Sequence, residues 1–465
     1  MRKKQSSLEK VYRVLILVLP AVLYFSYYPV ISFGADATMN FEISLPLVWL
    51  VVFAIVVLVL LMKQKKLNEI WENWRWLLFP IFVTLSIIWS DNVMRGILTC
   101  GIMWLIYLSV LGFGVLRDLM TGEEFLRKFW RWFFGASLAI CGWCAVQCVL
   151  DLIGAPRGCT LLCAGCTSWT FGFPHPNGLA IEPQFMGNLL LAPIVASMWL
   201  VFHSEKWKCY AGLFLIFVAT LFLTFSRGAI YAFVVAMIFL SVFMLTRRKI
   251  AIFKKVGMVW GLVVVAFVLT LNMQGVMAQL SPTNDTYASG VAKVLNHLSL
   301  GIIDVRQNSG ENEASESVVE DDGGGDNEAI FDGYVEESTN VRVEMTENAI
   351  RVWSQDFGTV MFGVGIGGAG QAMYDAGLTG SPKEIVQNEY ANLLLEVGLL
   401  GVVLFGLTLV MIVKICTKNQ NGILILTLMV AYGVTLCFFS GLPNALQVYL
   451  MPGIFYILLR KKLVS

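Results

Sequence analysis

Twelve apolar stretches, most of them 17 to 27 residues long, run through this 465-residue chain at about 11–31, 45–62, 75–90, 95–116, 129–153, 178–202, 208–225, 228–246, 252–272, 389–415, 422–440 and 444–460. A hydrocarbon layer ~30 Å thick takes about 20 such residues as a helix. Away from water every backbone N–H and C=O must be satisfied within the protein, which a helix does within one segment. A membrane β-barrel would show alternating segments of ~10 residues. Only 14% of the residues are charged, against about 25% in soluble domains. The expected fold class is therefore all-α: a polytopic membrane protein with about twelve transmembrane helices.

The basic residues set the direction of the helices. They gather at "RKK" (2–4), "KQKK" (63–66), 117–131, "HSEKWK" (203–208), "RRKIAIFKK" (247–255), "KICTK" (414–418) and "RKK" (460–462). These are the two ends of the sequence and every second loop, the positive-inside pattern. Both termini are expected in the cytoplasm. The basic start followed by an apolar stretch reads as a first membrane helix, because no small-residue cleavage site follows Tyr28. The net charge of +1 indicates no partner, and no nucleic acid is expected.

The other face receives 32–44, 91–94, 154–177, the 226–227 turn, 273–388 and 440–443. The chain thus divides into helices one to nine (1–272), a large extracytoplasmic loop (273–388) and helices ten to twelve (389–465). From Glu311 to Glu337 the loop holds eleven Asp or Glu and no Lys or Arg. Such a stretch cannot bury a core, and an acidic disordered insert is expected over 307–337. An amphipathic helix is expected over 340–357, with Asn340 as its N-cap and Glu347 four residues before Arg351.

One charged residue stands out within the apolar run "LFLTFSRGAI" (221–230). At the centre of a membrane helix Arg227 would cost about 2.5–3.5 kcal/mol. The topology puts it in a tight turn at the extracytoplasmic surface, where the cost is small. Two readings are open: a snorkelling interfacial arginine, or a binding residue.

Several stretches together resemble the O-antigen ligases and O-antigen polymerases, bacterial membrane glycosyltransferases. "TFSRGA" (224–229) is similar to that family's Ser-Arg-Gly-Ala turn. "VQNEYANLLLEVGLLG" (386–401) resembles its His-Asn-x-x-Leu run followed by Glu-x-Gly-x-x-Gly, with Asn388, Glu396, Gly398 and Gly401 in register. "MFGVGIGGAG" (361–370) resembles the glycine element that closes the family's large loop, and Arg342 in "NVRVEMTENA" matches the arginine opening the loop helix. The similar region covers about 171–401. One position departs: Gln387 stands where ligases of the family carry histidine, and a glutamine cannot take a proton.

The resemblance implies transfer of a glycan from a polyprenyl-pyrophosphate carrier to an acceptor hydroxyl, either an acceptor glycan or another molecule, in the bacterial cell membrane. Arginines match phosphate oxygens bidentately and stabilise a leaving pyrophosphate. It implies Arg227, Arg342, Gln387 and Asn388 as catalytic residues, and Arg351, Gly363 and Gly365 at the substrate. His175, Glu182 and Glu389 are candidates for the proton-accepting role that Gln387 cannot fill. Glu182 reads equally as a carboxylate at the site or as a structural partner for an arginine. Asn388, Asn392 and Glu396 form a polar stripe on helix ten, read as helix–helix bonding for the last two. No cofactor and no metal is expected, and oligomeric state is not legible.

Other signals carry less. "GVGIGG" matches G-x-G-x-x-G, but no strand–helix unit surrounds it, so it is not read as a dinucleotide site. Its glycines suit a tight turn or a close approach to substrate. Cys159, Cys163 and Cys166, with His175, allow a zinc site, a disulfide with a spare thiol, or three reduced thiols. His297 in "KVLNHLSL" reads as a loop-helix residue. An exporter of lipid-linked glycan and a non-catalytic assembly partner are the rival functions. Transporters show polar or broken midplane helices and internal repeats; here no repeat is evident.

Overall fold

The computed structural model describes residues 6–26, 29–33, 41–71, 74–120, 122–153, 175–180, 182–246, 250–280, 286–299, 330–418, 422–440 and 445–458. The helices are α1 (Ser7–Tyr24), α2 (Leu45–Lys63), α3 (Leu67–Trp71), α4 (Leu78–Ser86), α5 (Val93–Val115) and α6 (Glu123–Leu152). There follow α7 (Pro183–His203), α8 (Trp207–Leu223), α9 (Arg227–Leu245), α10 (Ile250–Leu280), α11 (Tyr287–Leu298) and α12 (Ile330–Trp353). The chain continues through α13 (Phe357–Phe362), α14 (Ala369–Asp375), α15 (Glu389–Thr417), α16 (Gly422–Thr435) and α17 (Leu446–Leu458).

A helix lies in each of the twelve predicted intervals. Among the described residues seven are long and apolar enough to cross a membrane: α2, α5, α6, α7, α9, α10 and α15. Four more apolar helical segments are shorter: Trp74–Trp89, α8, α16 and Leu446–Ile457. The protein is a polytopic α-helical membrane protein.

Local sequence fixes several ends. Ser6 and Glu9 form a reciprocal capping box at the start of α1, with Ser6 N donating to Glu9 Oε2 at 3.1 Å and Glu9 N to Ser6 Oγ at 3.3 Å. Proline opens α7, where its missing N–H costs nothing. α1 stops at Tyr24, short of the predicted 31. An antiparallel hairpin follows, β1 (Pro29–Phe33) with β2 (Phe41–Ser44), where a loop was expected. This small sheet is an addition to an α-helical fold, and it forms because two β-prone runs, "PVISF" and "FEIS", flank the connection.

α7 is the axis of the bundle. It packs against α8, α9, α16, α6, α10 and α1, and nearly all of it is buried. Its sequence is apolar all round, as a surrounded helix requires. α1, α2 and α5 interlock through aromatic rings: Phe53 lies 5.4 Å from Tyr12, 4.7 Å from Trp49 and 5.2 Å from Phe113. α10 and α15 instead turn Val264, Leu269, Val403 and Leu407 outward. Lipid chains are as apolar as these residues, so outward-facing leucine is no defect in a membrane.

The segment predicted as one large loop is mostly helical where described. α10 runs on to Leu280, past the predicted 272, and α11 folds back on it. Tyr287 Oη donates to Asn272 Oδ1 at 2.6 Å. α12 begins at Ile330, so Asn340 lies inside the helix and is not its cap. The remainder of the expected acidic insert, 307–329, lies outside the described residues, as do Cys159, Cys163 and Cys166. α12, α14 and the start of α15 share a separate small core built on Ala349, Val352, Met373 and Leu395.

Candidate functional site

Arg227 opens α9 after a three-residue link from α8. Thr224 ends α8, its Oγ1 donating to Leu221 O at 2.7 Å. Phe225 then takes φ +48, the left-handed region, and reverses the chain. Ser226 caps α9, accepting from Ala229 N at 3.4 Å. The sequence "TFSRGA" is therefore helix stop, reversal, helix start, with the guanidinium on the first helical residue. The turn is buried around a half-buried Arg227. Gly187 of α7 lets it close in: a Cβ there would lie 2.7 Å from Ala229 Cβ.

Arg342 reaches the same place from α12. Its Nε donates to Gln387 Oε1 at 2.9 Å and its Nη2 to Gln184 Oε1 at 3.1 Å. Gln184 is itself fixed, donating through Nε2 to Phe438 O at 2.9 Å. The two arginines are close enough for their like charges to act on each other. Amide oxygens orient a guanidinium without neutralising it. The contacts bring together the N-terminal ends of α7, α9 and α15, each carrying roughly half a positive charge. Guanidiniums and positive helix ends are groups whose chemistry suits an anion with several oxygens.

The other residues singled out from the sequence are distributed around this centre. Asn388 caps α15, accepting from Tyr390 N at 3.1 Å and Ala391 N at 3.2 Å. It thereby fixes Gln387 beside it. Glu389, the first residue of α15, accepts from Ser440 Oγ at 2.9 Å, and its N–H donates to Leu436 O at 2.9 Å. Glu182 is exposed and precedes α7, not a turn inside it, because the residue before a proline is driven out of helical geometry. Arg351 is exposed on α12, about 13 Å along the axis from Arg342 at 1.5 Å per residue. His175 is buried in the turn before α7. That turn docks on Gln147 of α6, which donates to Gly178 O and accepts from Gly178 N, both at 2.8 Å.

The glycine segment is bound to a break in α15. Gly398 has φ +60 in mid-helix, which frees the carbonyls of the preceding turn. Val364 N donates to Leu395 O and Gly365 N to Glu396 O, both at 2.9 Å. Gly367 N donates to the buried Glu396 carboxylate at 3.0 Å. Ser86 and Ser90 hold Ile366 from the far side, at 3.1 and 2.8 Å. Gly363, at φ +71, lies directly on the Glu396 backbone, and Gly365 lies on Ser86 and Ser90. A Cβ on Gly398 would lie 2.5 Å from the Met361 carbonyl. Irregular backbone at this depth is tolerated because protein surrounds it.

Two further residues lie at the site. Gln184 carries a signal: with Asn188 it places polar groups one turn apart in an apolar helix. His297, read as a loop-helix residue, is in α11 as expected but reaches the arginine turn. Its Nε2 lies 3.2 Å from Phe225 O. Burial, with the charge of Arg227 adding to it, pushes its pKa down to about 4.

The search of curated proteins gives no match to the chain. The family model described as O-antigen ligase matches residues 212–406. The matched stretch runs from α8 into α15 and includes Arg227, His297, Arg342, Gln387, Asn388 and Glu389; Gln184 precedes it. Over residues 212–406 this membrane protein is thus similar to the O-antigen ligase family.

Proposed function

We propose that the protein transfers oligosaccharide from a polyprenyl-pyrophosphate carrier to an acceptor glycan or another hydroxyl, as an O-antigen ligase or polysaccharide polymerase would. The observation that carries this reading is the convergence of Arg227 and Arg342 at three helix N-termini, with Arg342 oriented by the neutral amides of Gln184 and Gln387. A polyprenyl pyrophosphate is a lipid-borne polyanion of the matching kind. The proposed topology has twelve membrane helices and both termini in the cytoplasm. The site faces the extracytoplasmic side of the bacterial cell membrane.

In the reaction the acceptor oxygen bonds to the anomeric carbon as that carbon's bond to the pyrophosphate oxygen breaks. The leaving oxygen keeps the electron pair, and Arg227 and Arg342 stabilise its charge without a metal. The acceptor's proton goes to a base. We assign Glu389, which stands two residues from Gln387 at the same helix end; His175 and Glu182 lie on the approach to α7. Gln387 acts through Arg342, which it orients.

The test supplies purified protein in lipid with polyprenyl-pyrophosphate oligosaccharide from the native host. Free polyprenyl pyrophosphate and longer glycans are then assayed. Turnover by the wild type that is lost in Arg227→Ala supports the reading; equal turnover in both refutes the role of Arg227. A second reading, an exporter or non-catalytic partner for lipid-linked glycan, is favoured by the glutamine at 387. It predicts carrier binding that depends on Arg227 and no turnover.

A further inference from the structure

The turn that presents Arg227 is strained, and groups outside it hold it from two sides. Phe225 is a bulky residue at φ +48, a region that a Cβ makes costly. Its carbonyl direction sets where Ser226 and Arg227 begin α9. His297 of α11 lies with Nε2 3.2 Å from that carbonyl. Both residues are buried, Phe225 at 3% exposure and His297 at 7%. Val294, one turn earlier in α11, packs on Phe225 together with Leu271 and Leu298.

The second hold comes from the α9 side. Tyr231, one turn after Arg227, donates through its hydroxyl to Leu298 O at 3.4 Å. Leu298 is next to His297, so the last turn of α11 meets the arginine turn at its entrance and at its exit. α11 has its own anchorage. Thr286 caps it, accepting from Ser289 N at 3.1 Å, and the Tyr287 hydroxyl ties it to Asn272 of α10. An imidazole neutral at Nδ1 donates from Nε2 to the Phe225 carbonyl while placing no further positive charge beside Arg227.

We propose that α11 is a clamp for Arg227: His297 grips the Phe225 carbonyl, Leu298 receives the Tyr231 hydroxyl, and together they fix the guanidinium in the anion site. His297 is then a positioning residue and never touches the carrier. The consequence for ligand binding rests on the reading of Arg227 given above; the mechanical part does not.

The experiment uses the full chain in lipid nanodiscs. Hydrogen exchange is followed over residues 222–231, and the affinity for inorganic pyrophosphate is measured in parallel. His297→Leu is expected to speed exchange at the turn about fivefold and to weaken pyrophosphate about threefold to tenfold, the scale of one lost hydrogen bond. His297→Gln keeps an N–H at similar reach and is expected to restore both. Tyr231→Phe is expected to loosen the exit alone. Turn exchange at the wild-type rate in both His297→Leu and Tyr231→Phe overturns the clamp, as does His297→Gln behaving like His297→Leu. If His297→Leu does not fold, Tyr231→Phe and His297→Gln decide by the same criterion. A wild type that binds no pyrophosphate, with turn exchange moved as expected, refutes the anion reading and upholds the clamp.

Discussion

Arg342 donates through Nε to the amide oxygen of Gln387, 2.9 Å away across 45 residues of sequence. A carboxylate at that position would hold the guanidinium as firmly and neutralise it. The amide holds it and itself adds no negative charge. Gln184 does the same from α7 at 3.1 Å. In the proposed reaction the glutamine at 387 therefore has the work of orientation, and the proton goes elsewhere.

Replacing that amide separates orientation from charge. Gln387→Ala removes one hydrogen bond to a charged group, about 1.5–3 kcal/mol, and is expected to slow carrier turnover roughly tenfold to a hundredfold. Gln387→Glu preserves the contact but neutralises Arg342, and is expected to be slower still at low salt. Turnover assays of the two variants over a salt series check this; a Gln387→Glu enzyme faster than wild type contradicts it.

Gln184 and Gln387 hold one guanidinium, so their removal should not add. Gln184→Ala and Gln387→Ala each loosen Arg342, and the double variant is expected to lose less than the sum, with a coupling of about 0.5–1 kcal/mol. A double-mutant cycle on carrier affinity measures it. Strict additivity would mean that the two amides act separately.

Gly398 joins the broken helix to the glycine segment. An alanine there meets both a positive φ and the Met361 carbonyl. Gly398→Ala is expected to destabilise the protein by about 2–4 kcal/mol, read as a lower unfolding temperature in detergent. Gly406, on the same helix with open space around it, is the control, and its alanine variant should leave that temperature nearly unchanged.

His297 makes the α11 contact sensitive to acid. Its folded pKa is pushed down to about 4, against about 6.5 when unfolded. Between those values the opened state binds a proton that the closed state does not. The contribution is fully present above about pH 6.5 and falls as pH drops towards 4, by about 3 kcal/mol in total. Exchange of α11 amides, corrected for intrinsic rates, should be faster at pH 5 than at pH 7. His297→Leu should flatten that dependence.

The bundle was legible because membrane insertion imposes a length on each apolar run, and each predicted interval does hold a helix. The resemblance singles out Arg227, Arg342 and Gln387, and the structure does bring Arg342 onto Gln387. What was not legible depends on partners far apart in sequence or on backbone groups. Gln184 shows as a polar residue in an apolar helix, yet nothing local says that Arg342, 158 residues away, will meet it. His297 binds a carbonyl, and every residue has one, so no side-chain pattern marks the pair. "LEVGLLG" reads as helix packing; that Gly398 breaks the helix emerges only once the 361–367 segment is seen bound to the freed carbonyls. Phe225 carries no sequence sign of a left-handed conformation.

In the proposed function Arg227 and Arg342 together bind the carrier's pyrophosphate. The most direct measurement is the affinity of a short-chain polyprenyl pyrophosphate for the protein in nanodiscs, across wild type, Arg227→Ala, Arg342→Ala and the double variant. Each single variant is predicted to weaken binding about tenfold to a hundredfold, with a polyprenol lacking the pyrophosphate bound equally by all four proteins. Carrier affinity unchanged in either single variant, or polyprenol binding reduced as much as carrier binding, would contradict the account.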